Sequence, residues 1–594
     1  MTSLAYCVTL TRPETHLFEV RCKLNDPDPA GQVWLLPAWI PGSYLIRDFA
    51  RHIVSLRAES AGRSVALEKI DKHSWRCAPL PPGQSLQLIY QVYGFDPSVR
   101  ACYLDTKRAF FNGTSLFLYP QGRLDEACSL SLSPPPDSDW RLATAMQPVE
   151  VDAQGFGLYQ AADYRELIDH PVEMGCFAEA TFSACDVPHR VVVSGHASAG
   201  VDLDRLCHDL EKICRWQIQL FGEPAPMPHY LFLIHGVEDG YGGLEHRAST
   251  ALLCNRDDLP HPLTPEQPDE AYLKLLGLCS HEYFHSWNVK RIHPEVFRHA
   301  DLQRENYTEL LWAFEGFTSY YDDLTLVRCG LIDRERYLEL LGKSLSDLAR
   351  NPGRRRQSVA DSSFFAWSKY YRPDENTPNC VVSYYLKGAL IALALDLKLR
   401  SGKPGHSLDQ LMQALWQDYL KTGAGISSES LLARLRQLAG KGIASWLDDT
   451  VHGLGDPVDA ALLRQFAVEL TWETGKPPLW LGWKHGEENG LIKLSHVLND
   501  SPAEKAGLAA GDLLLAWNGL RLTAGNLARM LARIQAGDLV ELHYFRRGVL
   551  QQTWLKPGAA AADLARLRPA KRAGERALAL RSAWLGESRS GMTS

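Results

Sequence analysis

The sequence predicts a multidomain α+β protein, with a β-sandwich-like domain at the N-terminus, a central α/β domain with a helical lobe, and a small C-terminal domain. Three observations support this class. The chain of 594 residues is too long for one hydrophobic core, since domains average roughly 150 residues. Its first part alternates short apolar runs with Pro and Gly turns, which is typical of strands. From about Val201 the apolar residues recur with helical spacing instead.

Residues 1–165 form the predicted N-terminal β domain. Apolar runs such as VWLLPAWI and LQLIYQVYGF are separated by the turn sequences PGS, PPG and NGT. Because strands and tight turns follow each other closely, we expect a β-sandwich here.

Residues 166–475 form the predicted central domain. Its apolar spacing predicts helices over 269–287 and 305–328, and mostly helical structure over 383–446. Between them, the turn-rich segment 351–379 is of a kind that is more often a functional loop than a core element, and a simple surface excursion is the alternative.

Residues 476–558 form the predicted C-terminal domain, in which strands, turns and a short helix alternate. After it, 559–594 is predicted to be a tail, either a frayed helix or a disordered segment. We assign no chemistry to this tail.

Charge and composition exclude several classes of partner. The formal net charge is −7, and no stripe of Lys and Arg with interleaved aromatic residues is present, which argues against nucleic acid. The N-terminus has no basic leader with an apolar stretch, and no run reaches ~18 apolar residues. The 13 cysteines are scattered and never spaced as CxxC. We therefore expect a cytoplasmic protein without a membrane or nucleic-acid partner.

The segment HEYFH, residues 281–285, matches the pattern H-E-x-x-H. On a helix, the i, i+4 spacing places His281 and His285 on one face, where both can bind one metal ion. Zn²⁺ in such sites takes two imidazoles, one carboxylate and a water, whose pKa it lowers. Glu282 can then accept the proton of the water, which predicts a metallopeptidase with one Zn²⁺ per chain. The alternative is a pair of partly exposed helix histidines.

A third ligand is expected on the next predicted helix. Glu315 lies thirty positions after His285 in the segment LWAFEGFTSYY. The aromatic neighbours would leave its carboxylate poorly solvated unless it is paired or bound to a metal. Glu305 and Glu309 are rivals on the same predicted helix, and a salt bridge within the core is the alternative for Glu315.

The chain resembles a known family of metallopeptidases. HEYFH followed by WAFEGFT is similar to the gluzincins, and five segments together resemble the glycyl aminopeptidase family: PAWIPGSYLIRDFARH, GYGGLEHRAST, HEYFHSWNVKRIHP, WAFEGFTSYYDDL and SYYLKGAL. The resemblance covers nearly the whole chain except the tail. It implies a β N-terminal domain, a thermolysin-like catalytic domain and a PDZ domain, with His281, His285 and Glu315 as zinc ligands.

The resemblance also implies substrate-binding residues. The segment GGLEH at 242–246 is similar to the G-x-M-E-N segment of related zinc aminopeptidases, with Leu and His in place of Met and Asn. By this resemblance Glu245 binds the free α-amino group of a peptide, with Gly242 and Gly243 beside it. A carboxylate at a fixed distance from the metal lets only the first peptide bond react. An ordinary charged loop residue is the alternative for Glu245.

The segment SYYLKG at 383–388 resembles S-Y-x-K-G, whose tyrosine donates a hydrogen bond to the oxyanion of the tetrahedral intermediate. Counting two residues back from the lysine selects Tyr385. Tyr384 is its rival, and a buried core tyrosine is the alternative. His246 and His293 could also contact substrate, but no spacing argument supports either.

The segment LSHVLNDSPAEKAGLAAGDLLLAWNGLRL resembles the S-P-A-x-x-A-G-L-x-x-G-D core of bacterial-type PDZ domains. This resemblance implies that Leu481, Gly482 and Trp483 form a loop whose backbone N–H groups bind the C-terminus of a peptide. A purely structural cap is the alternative.

Three hypotheses for function follow. The first is a zinc aminopeptidase that removes small residues, Gly or Ala by resemblance, from peptides with a free N-terminus. The second is a zinc endopeptidase of the same fold. The third is a PDZ-bearing binding protein on an inactive peptidase fold, which would lack a ligand or the base, whereas His281, Glu282, His285, Glu315 and Tyr385 are all present.

Overall fold

The structure, a computed structural model, describes residues 2–195, 200–263, 265, 267–402, 405–476 and 478–586. The chain falls into two compact units. The first consists of Met1–Asn306, Arg328–Leu331 and Met412–Ile426, and the second of Tyr307–Val327, Ile332–Leu411 and Ser427–Ser594.

The first unit is rich in β-structure. Its strands are β1 (Leu4–Thr9), β2 (Leu17–Leu24), β3 (Val33–Leu35), β4 (Ile53–Ser60), β5 (Arg63–Val65), β6 (Leu67–Lys69), β7 (Ser74–Cys77), β8 (Leu86–Tyr93), β9 (Cys102–Leu104), β10 (Arg108–Phe111), β11 (Tyr119–Pro120), β12 (Cys128–Leu132), β13 (Arg141–Ala143), β14 (Gln147–Val151), β15 (Gly157–Ala161), β16 (Val172–Gly175), β17 (Phe177–Ala184), β18 (Val187–Ser194), β19 (Tyr230–Val237), β20 (Gly242–Glu245) and β21 (Ser249–Asn255).

The N-terminal strands form three sheets. The largest has the strand order β14-β15-β12-β1-β2-β8-β4-β5, and the two smaller sheets have the orders β13-β16-β10-β9 and β11-β3-β7-β6. In β8 every second residue is buried, as expected for a strand with one face on a hydrophobic core. The predicted β-rich N-terminal region is confirmed.

A fourth sheet carries the region around the predicted metal site. Its order is β17-β18-β19-β21-β20, so β20 is an edge strand, and it pairs antiparallel with β21, with Glu245 opposite Thr250. The helices of this unit are α1 (Tyr164–Ile168), α2 (Leu203–Phe221) and α3 (Glu270–Phe284).

Helix α3 is held by its cap and by α2. Asp269 caps its first turn by accepting a hydrogen bond from Tyr272 N at 2.9 Å. Gln217 of α2 donates from Nε2 to Ser280 O at 2.9 Å. Because Gln217 is fully buried, this bond fixes the C-terminal half of α3 against its neighbour.

The second unit contains most of the helices. They are α4 (Leu311–Arg328, whose last residue belongs to the first unit), α5 (Arg334–Ala349), α6 (Val359–Phe364), α7 (Thr377–Cys380), α8 (Tyr384–Ser401), α9 (Leu408–Thr422, whose later residues belong to the first unit), α10 (Ser428–Ala439), α11 (Lys441–His452), α12 (Ala460–Arg464), α13 (Pro502–Lys505), α14 (Ala524–Leu531) and α15 (Glu575–Leu585). The predicted helical character of this region is confirmed.

The start of the predicted helix 305–328 is wrong. Helix α4 begins at Leu311, because the Oγ1 atom of Thr308 accepts a hydrogen bond from Leu310 N at 3.2 Å and closes a local turn instead. Glu305 and Glu309 therefore lie outside the helix.

The strands of the second unit are β22 (Val468–Thr474), β23 (Leu479–Trp480), β24 (Trp483–Glu488), β25 (Leu491–Val497), β26 (Leu513–Trp517), β27 (Leu520–Arg521), β28 (Val540–Arg546), β29 (Val549–Leu555), β30 (Gly558–Ala559) and β31 (Ala562–Pro569). Strands β24-β25-β26-β28-β29 form one sheet, with β27 paired to β26. This sheet has its own apolar core, which includes Leu494, Leu514 and Leu542.

The predicted tail at 559–594 is wrong for its described part. Strand β31 pairs antiparallel with β22, and Ala565 N donates to the Ser346 hydroxyl at 2.9 Å. In α15, Trp584 is fully buried and donates from Nε1 to Tyr320 Oη at 3.1 Å. Leu567, Trp584 and Leu585 of this Ala- and Arg-rich segment are buried, and together with the strand pairing their burial orders it. Residues 587–594 lie outside the described residues.

One stretch, Thr377–Ser401, is long and apolar enough to span a membrane, and 72% of its most apolar window is buried within the protein. Burial of this extent is also typical of a core helix. The absence of a membrane partner and the cytoplasmic location stay predictions.

Two glycines set the distance between α4 and α8. A Cβ atom on Gly316 would lie 2.5 Å from the Cα and carbonyl carbon of Gly388, and one on Gly388 would lie 2.7 Å from Trp312 O. Because no side chain fits between these backbones, the two helices pack in direct contact. This contact fixes the neighbouring Glu315 on α4 relative to α8.

We expect Gly316→Ala to lower the free energy of unfolding by about 1–3 kcal/mol, because the added methyl group must push two backbones apart. Gly442→Ala in α11 is the matched control. No described atom lies within 4 Å of a Cβ at that position, and alanine stabilises a helix by up to about 1 kcal/mol over glycine. Urea denaturation measures both variants, and a Gly316→Ala protein as stable as the wild type would contradict the tight contact.

Candidate active site

The HEYFH segment occupies the C-terminal end of α3. His281 lies in its last turn, and His285 caps the helix with its backbone N–H bonded to His281 O at 3.3 Å. The Nε2 atoms of the two imidazoles are 3.1 Å apart. Both rings therefore lie on one face of the helix.

The donor chemistry of these histidines fits a zinc ion. His285 Nδ1 lies 2.6 Å from Asn288 O, and since a carbonyl oxygen only accepts, Nδ1 carries the proton and Nε2 keeps its lone pair. Two nitrogens bound tetrahedrally to one Zn²⁺ at about 2.0–2.1 Å would be about 3.3 Å apart. The observed separation of the Nε2 atoms is close to this value.

Two buried carboxylates share this end of α3. One ligand atom from each of Glu245, Glu282 and His285 lies within 4.8 Å of the others. The two glutamates are 4% and 5% exposed. Glu282 follows His281 on the helix, whereas Glu245 is the last residue of the edge strand β20, so the helix and the strand each contribute one carboxylate.

Gly243 lies directly against Glu282. A Cβ atom at this position would be 2.0 Å from Glu282 Oε1, and a Cβ atom on Gly242 would be 3.4 Å from Arg100 Nη1. Arg100 also donates from Nη2 to Gly243 O at 3.2 Å. Any side chain at position 243 would displace the carboxylate of Glu282.

A turn from the N-terminal region covers Glu245. Gly42 has φ +92°, a left-handed conformation that favours glycine, and a Cβ atom there would lie 2.6 Å from both carboxylate oxygens of Glu245. The sequence predicted only a turn at PGS and assigned Gly42 no role. The sequence feature that could have indicated a role for Gly42 was the resemblance of its segment, PAWIPGSYLIRDFARH, to a peptidase family.

A cavity of about 500 Å³ adjoins Glu245. The cavity is lined by both apolar and polar side chains, which include Trp39, Tyr44 and Phe297, and His246, Lys290, His293 and Arg298. The two histidines for which the sequence offered no spacing argument therefore both line this cavity.

Asp169 binds three groups at the edge of the cavity. Its carboxylate lies 2.6 Å from Lys290 Nζ, 3.3 Å from His246 Nδ1 and 2.9 Å from Arg247 N. Burial alone would raise the pKa of Asp169, but Lys290 and then His246 outweigh it and hold the pKa well below its ordinary value. Burial lowers the pKa of His246 despite the nearby carboxylate. Near neutral pH, Asp169 is therefore ionised and His246 is neutral.

In the second unit, Glu315 lies in the first turns of α4 and is only 2% exposed. The side chain of its rival Glu309 is 52% exposed and lies 4.0 Å from His452 Nε2. Glu305 is half-buried and also precedes the helix. Of the three candidate glutamates, Glu315 is therefore the buried one that a helix positions.

Tyr384 and Tyr385 begin α8 with their rings stacked at 4.8 Å. Tyr384 is fully buried and Tyr385 is half-buried. Burial, followed by the carboxylate of Glu315, raises the pKa of Tyr385 well above its ordinary value, so its phenol stays protonated and able to donate. Tyr371 Oη lies 3.3 Å from Tyr385 Oη, which brings the turn-rich segment 351–379 to the tyrosines.

The predicted peptide-binding residues Leu481–Trp483 lie at the end of β23 and the start of β24. Leu481 O accepts a hydrogen bond from Ala503 N at 3.0 Å, and Gly482 O accepts one from Leu498 N at 2.8 Å. The carbonyl groups of this loop are therefore used within the domain, and its conformation is fixed.

Within the first unit, the structure thus groups the predicted residues His281, Glu282, His285, Glu245 and Gly243. Within the second unit, it groups Glu315 with Tyr384 and Tyr385.

Two sequence profiles of protein families match the chain. One is described as the Peptidase M61 N-terminal domain and matches residues 5–176, and the other is described as M61 glycyl aminopeptidase and matches residues 274–391. The second match contains HEYFH, Glu315, Tyr384 and Tyr385.

The structure is similar to solved structures of peptidases. An aminopeptidase N family protein from Idiomarina loihiensis is 39% identical, with 98% of this chain and 100% of that chain covered and a TM-score of 0.93. An M1 zinc metallopeptidase from Deinococcus radiodurans is 14% identical, with 77% of this chain and 95% of that chain covered and a TM-score of 0.49.

Among curated proteins, a probable periplasmic serine endoprotease DegP-like from Marinomonas sp. (strain MWYL1) is 41% identical over 61 residues. The match covers 10% of this chain and 13% of the length of that relative.

Proposed function

Since the chain belongs to the M61 glycyl aminopeptidase family of zinc metallopeptidases, we propose that it removes Gly or Ala from peptides with a free N-terminus. One observation carries the proposal: the grouping of Glu245, Glu282 and His285, with ligand atoms within 4.8 Å of one another. The description of the matching family, and the name of the full-length relative from Idiomarina loihiensis, support the same activity.

The spacing of the carboxylates favours an aminopeptidase over an endopeptidase. In a peptide, the α-amino nitrogen and the first carbonyl carbon are two bonds and about 2.5 Å apart. A carboxylate that binds the amine must therefore lie within a few ångströms of the groups that act on the carbonyl. Glu245 meets this requirement with respect to Glu282 and His285. An endopeptidase would need this space for the chain before the scissile bond, whereas Glu245 and the turn at Gly42 occupy it.

We propose that His281, His285 and Glu315 hold one Zn²⁺, since two imidazoles and one carboxylate are a common set for catalytic zinc. Zinc, when bound, supplies Lewis acidity and lowers the pKa of water. Glu282 is the general base, which takes the proton of the attacking water and then delivers it to the leaving amine. A single family match over 274–391, which contains all four residues, supports this assignment.

Two further groups of the substrate need partners: its α-ammonium group and the carbonyl oxygen that becomes the oxyanion. Glu245 pairs with the α-ammonium group of the substrate, and the absence of side chains at Gly242 and Gly243 lets the substrate backbone approach β20. Tyr385 donates to the oxyanion of the tetrahedral intermediate. Its half-buried position favours this role over the fully buried Tyr384.

The preference for Gly or Ala rests on the description of the family alone. The cavity beside Glu245, at about 500 Å³, is far larger than a methyl group, so the structure itself does not select small side chains. Substrates with larger N-terminal residues therefore belong in any test.

The first prediction concerns the base and the metal. We expect Glu282→Gln to lower kcat for glycyl p-nitroanilide by about 10²–10⁴-fold, because the proton acceptor is lost, with the zinc content unchanged. A chelator should abolish the activity of the wild type, and added Zn²⁺ should restore it. Glu309→Gln, which changes an exposed glutamate outside the grouping, is the matched control. Turnover that resists the chelator would contradict the zinc mechanism.

The second prediction separates the hypotheses of exo- and endopeptidase. We expect Glu245→Gln to lower kcat/KM for Gly-, Ala- and Leu-anilides by about 10–100-fold, because a charged hydrogen bond to the ammonium is weakened. N-acetylglycyl anilide should not be cleaved, and the exposed-residue variant Glu238→Gln should behave as wild type. Cleavage of the blocked substrate, unaffected by Glu245→Gln, would support an endopeptidase. No turnover by the zinc-loaded wild type would support the inactive binding protein.

We also propose that residues 476–558 form a PDZ domain whose Leu481–Trp483 loop binds a peptide C-terminus. The order of the sheet β24-β25-β26-β28-β29, with the short helices α13 and α14, supports this interpretation. We further propose that the N-terminal sheets form a β-sandwich.

The PDZ proposal predicts recognition of a free carboxylate. In fluorescence anisotropy with a library of labelled peptides, the full-length protein should bind some members, and amidation of their C-termini should weaken binding at least about 10-fold, because the loop N–H groups lose an anionic acceptor. Equal binding of free and amidated peptides, or none, would favour a structural cap.

A further inference from the structure

His246 directly follows the proposed amine anchor, Glu245, at the end of β20. Its backbone N–H bonds to Ser249 O at 2.9 Å, so the turn after β20 holds the residue in place. The side chain is 2% exposed and, like that of Glu245, lines the cavity of about 500 Å³. Two consecutive polar side chains therefore border one cavity.

The partners of the His246 ring decide which nitrogen carries the proton. Nδ1 lies 3.3 Å from Asp169 Oδ1, and Lys290 Nζ lies 2.6 Å from the same oxygen. A carboxylate paired with a lysine stays ionised and can only accept. Nδ1 therefore donates to Asp169. Because burial lowers the pKa of His246 and keeps the ring neutral near pH 7, Nε2 keeps its lone pair.

The Nε2 atom of His246 is buried and has no hydrogen-bond partner in the part of the chain that the structure describes. Buried polar atoms are rarely left in this state, so a bound group is expected to donate to it. That group must carry N–H or O–H, and beside the carboxylate of Glu245 a positively charged donor is favoured. A primary ammonium satisfies both conditions.

We propose that His246 Nε2 and the carboxylate of Glu245 together bind the α-ammonium group of the substrate. The inference rests on the proposed aminopeptidase function. A primary ammonium has three N–H groups, of which Glu245 takes one or two and Nε2 accepts another. Asp169 and Lys290 are positioning residues, since they hold the ring in the tautomer that accepts.

Binding at such a site depends on how many N–H groups the ammonium of the ligand can donate. Each N-methyl group removes one donor and keeps the positive charge. We therefore expect the wild type to hydrolyse glycyl p-nitroanilide with the highest kcat/KM, N-methylglycyl p-nitroanilide with a lower value, and N,N-dimethylglycyl p-nitroanilide with the lowest.

The test compares two variants on these three substrates. His246→Leu removes the acceptor, and His246→Gln offers an amide oxygen in its place. We expect His246→Leu to lower kcat/KM for the glycyl substrate by about 10–100-fold, mainly through KM, and to lower it for the dimethylglycyl substrate by less than about threefold. His246→Gln should recover part of the loss. Zinc content and the midpoint of thermal unfolding confirm that each variant is folded and loaded.

The possible outcomes distinguish a failure of the proposed role of His246 from a failure of the proposed aminopeptidase function. If His246→Leu lowers kcat/KM by one common factor for all three substrates, the role of His246 is structural and the inference is overturned, while the aminopeptidase proposal stands. If the wild type cleaves N-acetylglycyl p-nitroanilide as well as the glycyl substrate, both proposals fail.

A crystal structure of the zinc-loaded Glu282→Gln enzyme soaked with glycinamide gives a measurement that does not depend on the His246 variants. We expect the amine nitrogen within hydrogen-bond distance of both His246 Nε2 and a Glu245 oxygen. An amine bound to Glu245 alone, with a water on Nε2, would overturn the inference.

Discussion

Two buried carboxylates held next to each other are the constraint on which the proposed active site depends. Glu245 and Glu282 have lost most of their contact with water, and they lie within 4.8 Å of each other and of His285. Burying a carboxylate costs free energy unless a cation or a hydrogen-bond donor pairs with it. In the proposed function, two cations offset these costs: the metal ion on the histidines and the ammonium group of the substrate on Glu245. The site is thus arranged to be completed by its ligands.

The fold achieves this arrangement by bringing backbone close to the charged groups. Gly42 and Gly243 each lie where a Cβ atom would meet a carboxylate oxygen at 2.6 Å or less. Both carboxylates therefore have a rigid wall of peptide beside them, which restricts their rotamers more firmly than a flexible side chain would. In the second unit, the backbones of Gly316 and Gly388 make a similar close contact between α4 and α8, next to Glu315. Because backbone packs directly against each carboxylate at the glycines, the carboxylate has few alternative positions and its charge is held accurately.

Much of the candidate site could be predicted because its signals are local. HEYFH predicts two imidazoles on one face through the i, i+4 spacing alone, and Glu315 stands out by its aromatic neighbours. Other features could not be predicted in this way. The contact of Gly42 with Glu245 joins residues about two hundred positions apart, and the bond between His246 and Asp169 joins β20 to the end of α1. The described part of the supposed tail was predicted wrongly because its order comes from pairing with β22 and from the burial of Trp584, neither of which leaves a strong periodic signal.

The sequence by itself determined the class of fold, the β-rich and helical regions, the family and the residue types of a zinc peptidase, because periodicity and short motifs depend on neighbours along one helix or strand. Only the tertiary structure decided which polar groups share a site. It buried Glu315 and left Glu309 exposed, placed Glu245 within reach of Glu282, and left one nitrogen of His246 without a described partner at the wall of a cavity. These outcomes depend on contacts between residues far apart in the chain, which propensity and spacing do not encode.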